Sequence, residues 1–309
     1  MKKAIVKPMV ARLRYWLDEF DEDRSKPAEV PFDNGYEYLR YAFCDLMTDA
    51  VCRRKPMYVW GVLRGTALAR VLGIRRVSVI EFGVAGGGGL LSLERIARHA
   101  QERIGVVIDV YGFDTGTGLP KPKDYRDQPN MWFEGQLPMN RELVEGQLRG
   151  ASLRIGLVRD TVPQFVTELE QGLGAPVAFV SFDLDLYSST CDALKLFSAK
   201  TQCLLPRVMC YFDDILGHTY NEFAGERLAI NEFNASQGLR KLSPIFGLRY
   251  FAPRAVHEAK YWDCFYLAHI FDHPLYNTLD SISKGVYMDH DGRAHGLPVN
   301  SNWRDQVRS

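Results

Sequence analysis

Two groups of residues in this sequence have the types and spacing to do chemistry, and the first is EFGVAGGGG, beginning at Glu81. Gly83, Gly86 and Gly88 stand between an apolar run and a helical one, where bare backbone lets N–H groups approach a ligand closely. The spacing is GxxGxG, not the GxGxxG of dinucleotide folds, which weakens a nicotinamide reading. Glu81 would repel a pyrophosphate but suits a cation, and S-adenosylmethionine carries both an ammonium and a sulfonium. A plainer alternative makes the glycines a tight turn and Glu81 a cap for nearby amides. Asp114, in YGFDTGTGLP, ends a second apolar run, where an acid commonly accepts from ribose hydroxyls; its plainer alternative is an Asx-turn.

The second group is acidic. SFDLDLYSST carries Asp183 and Asp185, and YFDDI carries Asp213 and Asp214. If both segments are adjacent strands, about 4.8 Å apart, Asp183 or Asp185 converges with the Asp213–Asp214 pair, and crowded carboxylates must protonate or gather a cation. Oxygen ligands without His or Cys favour Mg²⁺ over Zn²⁺. The plainer alternative makes these aspartates helix caps. A divalent ion there would anchor a substrate's hydroxyls and lower the pKa of one, preparing it to accept a methyl group. His218, five residues after Asp213, is a candidate general base. Tyr125, Trp132 and Phe133 are candidates to close over the substrate.

Alternating elements must position these residues. The expected strands are 77–83, 106–114, 153–158, 177–185 and 208–214, mostly continuous apolar runs as in strands covered on both faces. Expected helices lie near 88–100, 140–149, 163–172, 188–204 and 225–237. This alternation predicts an α/β fold with a doubly wound, mostly parallel sheet. Two further runs, 245–252 and 264–271, lack room for a crossover helix between them and read as an antiparallel pair at the C-terminal end, making seven strands. Residues 1–56 read as a helical extension, 57–271 as the main domain, and 272–309 as a C-terminal extension. The Pro-rich, aromatic stretch 119–139 is too long and irregular for a plain connection and reads as a functional lid.

Composition narrows the partners. With 38 basic and 38 acidic residues in 309, there is no global field to draw nucleic acid or an anionic membrane. A small hydroxyl-bearing substrate is the expectation, with a homo-oligomer compatible. The six cysteines form no CxxC pair and read as reduced, buried thiols. No window resembles a signal peptide or a membrane span, so a cytoplasmic protein is expected.

EFGVAGGGG, GFDTGTGLP, VRDTVP, FDLDLYSST and YFDDI, in that order, resemble class I S-adenosylmethionine-dependent methyltransferases, most of all the macrocin O-methyltransferase group, over about residues 57–240. The resemblance implies a Rossmann-like methyltransferase fold, with Glu81, Gly83, Gly86, Gly88 and Asp114 at S-adenosylmethionine. It also implies Mg²⁺ on Asp183, Asp213 and Asp214. The chain departs from the group at Leu184, where the group has glycine, and at Thr115, Gly116 and Thr117, where it has Ser-Phe-Glu.

Two other readings compete. Asp183-Leu184-Asp185 also fits the DxD of a metal-dependent glycosyltransferase, which leaves Glu81 and its glycine turn unexplained. A noncatalytic S-adenosylmethionine-binding protein would keep that turn and leave the aspartates without a task.

Overall fold

A computed structural model of the chain describes residues 36–217, 219–253 and 256–278, with a short strand pair at 286–288 and 294–296. Seven strands form one sheet: β1 (Arg76–Phe82), β2 (Val107–Asp114), β3 (Ser152–Ile155), β4 (Val177–Phe182), β5 (Leu204–Phe212), β6 (Arg240–Pro244) and β7 (Phe265–Ile270). Their order is β3-β2-β1-β4-β5-β7-β6. The first five pair in parallel, and β7 runs antiparallel to both β5 and β6. The α/β, doubly wound sheet with an antiparallel C-terminal pair is thus the fold found.

Every residue of β4 is buried, and all of β1 except Arg76, as helix-covered parallel strands require. The helices are α1 (Tyr36–Leu46), α2 (Pro56–Val71), α3 (Gly88–Ile104), α4 (Arg141–Gln147), α5 (Val158–Glu170), α6 (Tyr187–Leu194) and α7 (Gly225–Ser236). Helix α2 buries eleven of its residues, because α1 covers one side and the sheet the other. Leu39, Ala42, Phe43 and Leu46 of α1 join the same core. There Phe43 meets Trp60 and Trp262 with ring centroids 5.8 and 6.1 Å apart.

Several element boundaries differ from expectation. The third strand ends at Ile155 instead of 158, and the helix expected from 163 already starts at Val158. Two differences are larger. The sixth strand is 240–244, not 245–252. RKLSP is a half-buried edge strand whose charged residues carry little apolar signal, whereas Phe246 in the expected segment is 88% exposed and residues 248–251 form a 3₁₀ turn. The helix expected over 188–204 ends at Leu194 and gives way to two 3₁₀ turns, because β5 already starts at Leu204. Pro206 lies where β5 shifts register against β4, Val177 pairing with Leu204 but Phe179 with Met209. Proline cannot donate to the ladder, and an irregular stretch accommodates it.

Among the described residues no helix is long and apolar enough to cross a membrane. All six cysteines are free, with Cys44 and Cys191 half-buried and the others buried.

Candidate functional site

Strands β1 and β4 are neighbours whose connections leave in opposite directions along the sheet, the switch point where open α/β sheets bind ligands. A cavity of about 410 Å³ opens at their carboxyl ends, within the range of small-molecule sites. Its lining includes Glu81, Gly83, Gly88, Asp114, Asp183 and Asp185.

Glu81 is 1% exposed. Tyr58, projected from the first turn of α2, donates its hydroxyl to Glu81 Oε1 at 2.7 Å and accepts from Ser181 Oγ at 3.0 Å. Glu81 Oε2 has no partner. Burial pushes the Glu81 carboxyl up to about 8, against the opposing pull of Tyr58 and of the Lys55 charge. An acid in that state lacks a cation.

The glycines divide by task. At Gly83 φ is +85°, and a Cβ would fall 1.8 Å from the backbone oxygen of Asp183, so the turn after β1 lies directly against the loop after β4. At Gly89 a Cβ would fall 1.8 Å from Glu81 Oε1; the sequence reading passed over this residue. Gly88 borders the cavity with open space where a Cβ would stand, while Gly86 is exposed and not part of the lining. Asp114 Oδ2 accepts from the amides of Val84 and Ala85 at 2.9 and 2.8 Å, and Oδ1 accepts from Gly116 at 2.7 Å. This carboxylate braces the glycine turn and makes an Asx-turn, with its edge on the cavity.

Carboxylate oxygens of Asp183, Asp185 and Asp214 lie within 4.8 Å of one another. Asp185 enters this trio because its backbone is left-handed, φ 61°, and its amide donates to Asp214 Oδ2 at 3.0 Å. Tyr220 donates to Asp214 Oδ1 at 2.8 Å, and the Asp214 amide donates to Glu226 Oε2 at 3.0 Å. Asp213 is exposed, accepts from Tyr211 at 3.0 Å, and stands outside the trio. Burial and neighbouring carboxylates push Asp183 up to about 7 and Asp185 up to about 8, and burial raises Asp214 as well. Burial also raises Glu226, which is fully buried and whose Oε1 has no partner. Lys55 Nζ, 4.0 Å from Asp183 Oδ2, supplies a positive charge. An all-oxygen donor set with so little cationic compensation fits a hard divalent ion such as Mg²⁺.

The loop 119–139 folds back on itself, the Leu119 amide donating to Gln136 O and the Gly135 amide to Leu119 O at 2.7 and 2.8 Å. Leu119, Pro120 and Leu137 line the cavity. Its middle is pinned, since buried Asp127 accepts from the amide and hydroxyl of Ser188 at the start of α6, at 2.7 and 3.0 Å. That cap was expected from Asp185 in the plainer reading and comes instead from this loop. Tyr125 and Phe133 are 73% and 64% exposed, and Trp132 is half-buried. His218 lies outside the described residues.

Tyr58, Lys55, Tyr220 and Glu226 have no counterpart in the sequence reading. Tyr58 sits in a helix so apolar that its hydroxyl reads as incidental, and Glu226 reads as an ordinary acid in a first helical turn.

No family model matches the chain, and no curated protein does. Several solved structures are similar. One is described as the crystal structure of CalS11, calicheamicin methyltransferase, with 20% identity over 68% of this chain and 88% of that one, at a TM-score of 0.44. Another is cofactor-bound Rv0187 from MTB, with 15% identity over 72% and 90% at a TM-score of 0.37. A third is the plantazolicin methyltransferase BpumL in complex with SAH, with 9% identity over 75% and 94% at a TM-score of 0.30.

Proposed function

We propose that this protein transfers a methyl group from S-adenosylmethionine to a hydroxyl of a small molecule such as a sugar or polyol, with a divalent cation, Mg²⁺, held by Asp183, Asp185 and Asp214. One observation carries the reading: a buried carboxylate with an unpartnered oxygen, Glu81, and members of the crowded acidic trio border one cavity at the switch point. The first suits a cationic donor and the second a hard cation. Asp185 takes the place that the motif resemblance gave to Asp213, because its carboxylate is the one turned toward Asp183 and Asp214.

A divalent ion bound there supplies a charge that lowers the pKa of a hydroxyl beside it. The chain's own part is positioning. Glu81 holds the donor's ammonium, and Gly88 leaves room for it. Leu119, Pro120 and Leu137 keep water from the reacting atoms. Asp183, whose side chain is 30% exposed, faces the cavity and receives the acceptor's proton, with His218 as the alternative base. The acceptor oxygen bonds the methyl carbon as the carbon–sulfur bond breaks. Sulfur keeps the electron pair and leaves as the thioether of S-adenosylhomocysteine.

That Asp183 and Asp185 both join the trio also favours the glycosyltransferase reading, so the test includes it. Calorimetry on the full chain should give micromolar binding of S-adenosylmethionine and none of a nucleotide sugar or NADH; the reverse result overturns the proposal. Methyl transfer to polyols, sugars and phenols should need Mg²⁺. It should vanish in Asp214→Asn with donor affinity retained, whereas donor binding without transfer to any acceptor would identify a noncatalytic binder.

A further inference from the structure

The acidic trio is assembled from two separate connections. Asp183 and Asp185 stand between β4 and α6, and Asp214 stands between β5 and α7. Crowded carboxylates repel one another, so they keep a fixed spacing only where the segments carrying them are held. Loop 119–139 reaches both segments through two consecutive buried residues. Asp127 accepts from the amide and hydroxyl of Ser188, three positions after Asp185, at 2.7 and 3.0 Å. Gln128 Nε2 donates to Thr219 O at 3.1 Å, and because that carbonyl can only accept, the contact fixes the orientation of the side-chain amide. Gln128 Oε1 then faces Gly225, where φ is +61° and a Cβ would fall 2.8 Å away.

Thr219 and Gly225 adjoin the two residues that hold Asp214. Tyr220 donates to its carboxylate, and Glu226 accepts from its amide. One side chain of the loop therefore rests on a neighbour of each support. Gln128 is 4% exposed and its backbone is left-handed, φ 52°, a conformation that a non-glycine residue keeps only where its surroundings impose it.

We propose that Asp127 and Gln128 are positioning residues, a clamp by which loop 119–139 sets the spacing of Asp183, Asp185 and Asp214 and with it their affinity for a divalent cation. The proposal rests on the cation site of the function proposed above. Asp127 is the jaw on the Asp183 and Asp185 side, Gln128 the jaw on the Asp214 side, and neither lines the cavity. The loop that borders the cavity through Leu119, Pro120 and Leu137 thus also tunes the acidic half from behind.

Calorimetric titration of the full chain with Mg²⁺, and separately with S-adenosylmethionine in the absence of Mg²⁺, tests this. Gln128→Met keeps the length of the side chain and loses its donor. Loss of a residue that supports a metal ligand from behind lowers metal affinity about tenfold or more, so this variant should bind Mg²⁺ about tenfold more weakly. Its affinity for S-adenosylmethionine should stay within about twofold, because the donor half is held by other contacts. Asp127→Asn keeps one of its two acceptor oxygens and should weaken Mg²⁺ by about threefold. A general lesion in the fold would lower both affinities together. That result, or Mg²⁺ affinity unchanged in both variants, overturns the clamp and leaves the cation site standing. Binding of S-adenosylmethionine but not of Mg²⁺ by the unaltered protein overturns the cation site and the clamp with it.

Discussion

The two halves of the cavity are built by opposite means. On the β1 side the work is done by backbone: a left-handed glycine, amides braced by Asp114, and one buried acid already bonded through one of its oxygens. On the β4–β5 side it is done by side chains, with three carboxylates and Glu226 pressed together and only Tyr220, backbone amides and a distant Lys55 to offset them. The first half is complete in its main chain, with Glu81 Oε2 left unpartnered. The second is held in repulsion by the fold and is relieved by a proton or a cation.

The largest test of this contrast is Gly83→Ala. A Cβ there meets Asp183 O at 1.8 Å on a backbone with φ +85°, so the variant should lose about 3–5 kcal/mol of stability, read as a shift in the denaturation midpoint. A midpoint unchanged within error would show that the turn yields, and the contrast would fail. A smaller effect of opposite sign is expected from Asp185→Asn. Asparagine accepts the left-handed backbone at φ 61° and removes one of the like charges, so the metal-free protein should gain about 1 kcal/mol at pH 8. If the proposed Mg²⁺ site forms, Mg²⁺ should raise the denaturation midpoint of the unaltered protein and hardly that of this variant; a loss of stability without Mg²⁺ would mean that the carboxylates are not in conflict.

The smallest effect concerns Glu81, whose carboxyl is pushed up to about 8 by burial. Because its folded value lies above its unfolded one, its contribution to stability is fully present below about 4.5 and is lost as pH rises through about 8. On the function proposed above, a cationic donor meets the ionised form. At pH 7, calorimetry in buffers of different ionisation enthalpy should therefore register release of most of one proton on binding, and none in Glu81→Gln. No release from the unaltered protein would show that Glu81 does not meet the cation.

The same contrast explains what could be read from the sequence. The five parallel strands stood out because covering both faces forces continuous apolar runs, and their ends put Glu81, Asp183 and Asp214 at one edge. The edge strand 240–244 was hidden, since half-exposure lets Arg240 and Lys241 into it while the aromatic 245–252 mimics a strand. Whether Asp185 or Asp213 joins the trio turned on one left-handed residue, which apolar periodicity does not encode. Tyr58 and Lys55 reach the cavity from a helix start more than twenty positions before Glu81, a proximity made only by packing.

The contact of Gly83 with the Asp183 carbonyl has a last consequence. The Asp183 amide in turn donates to Phe82 O at 3.0 Å, so main chain meets main chain where the two halves join. The separation between them is a fixed gauge, indifferent to the identity of the surrounding side chains. Substitutions in the 119–139 loop leave that main-chain junction in place.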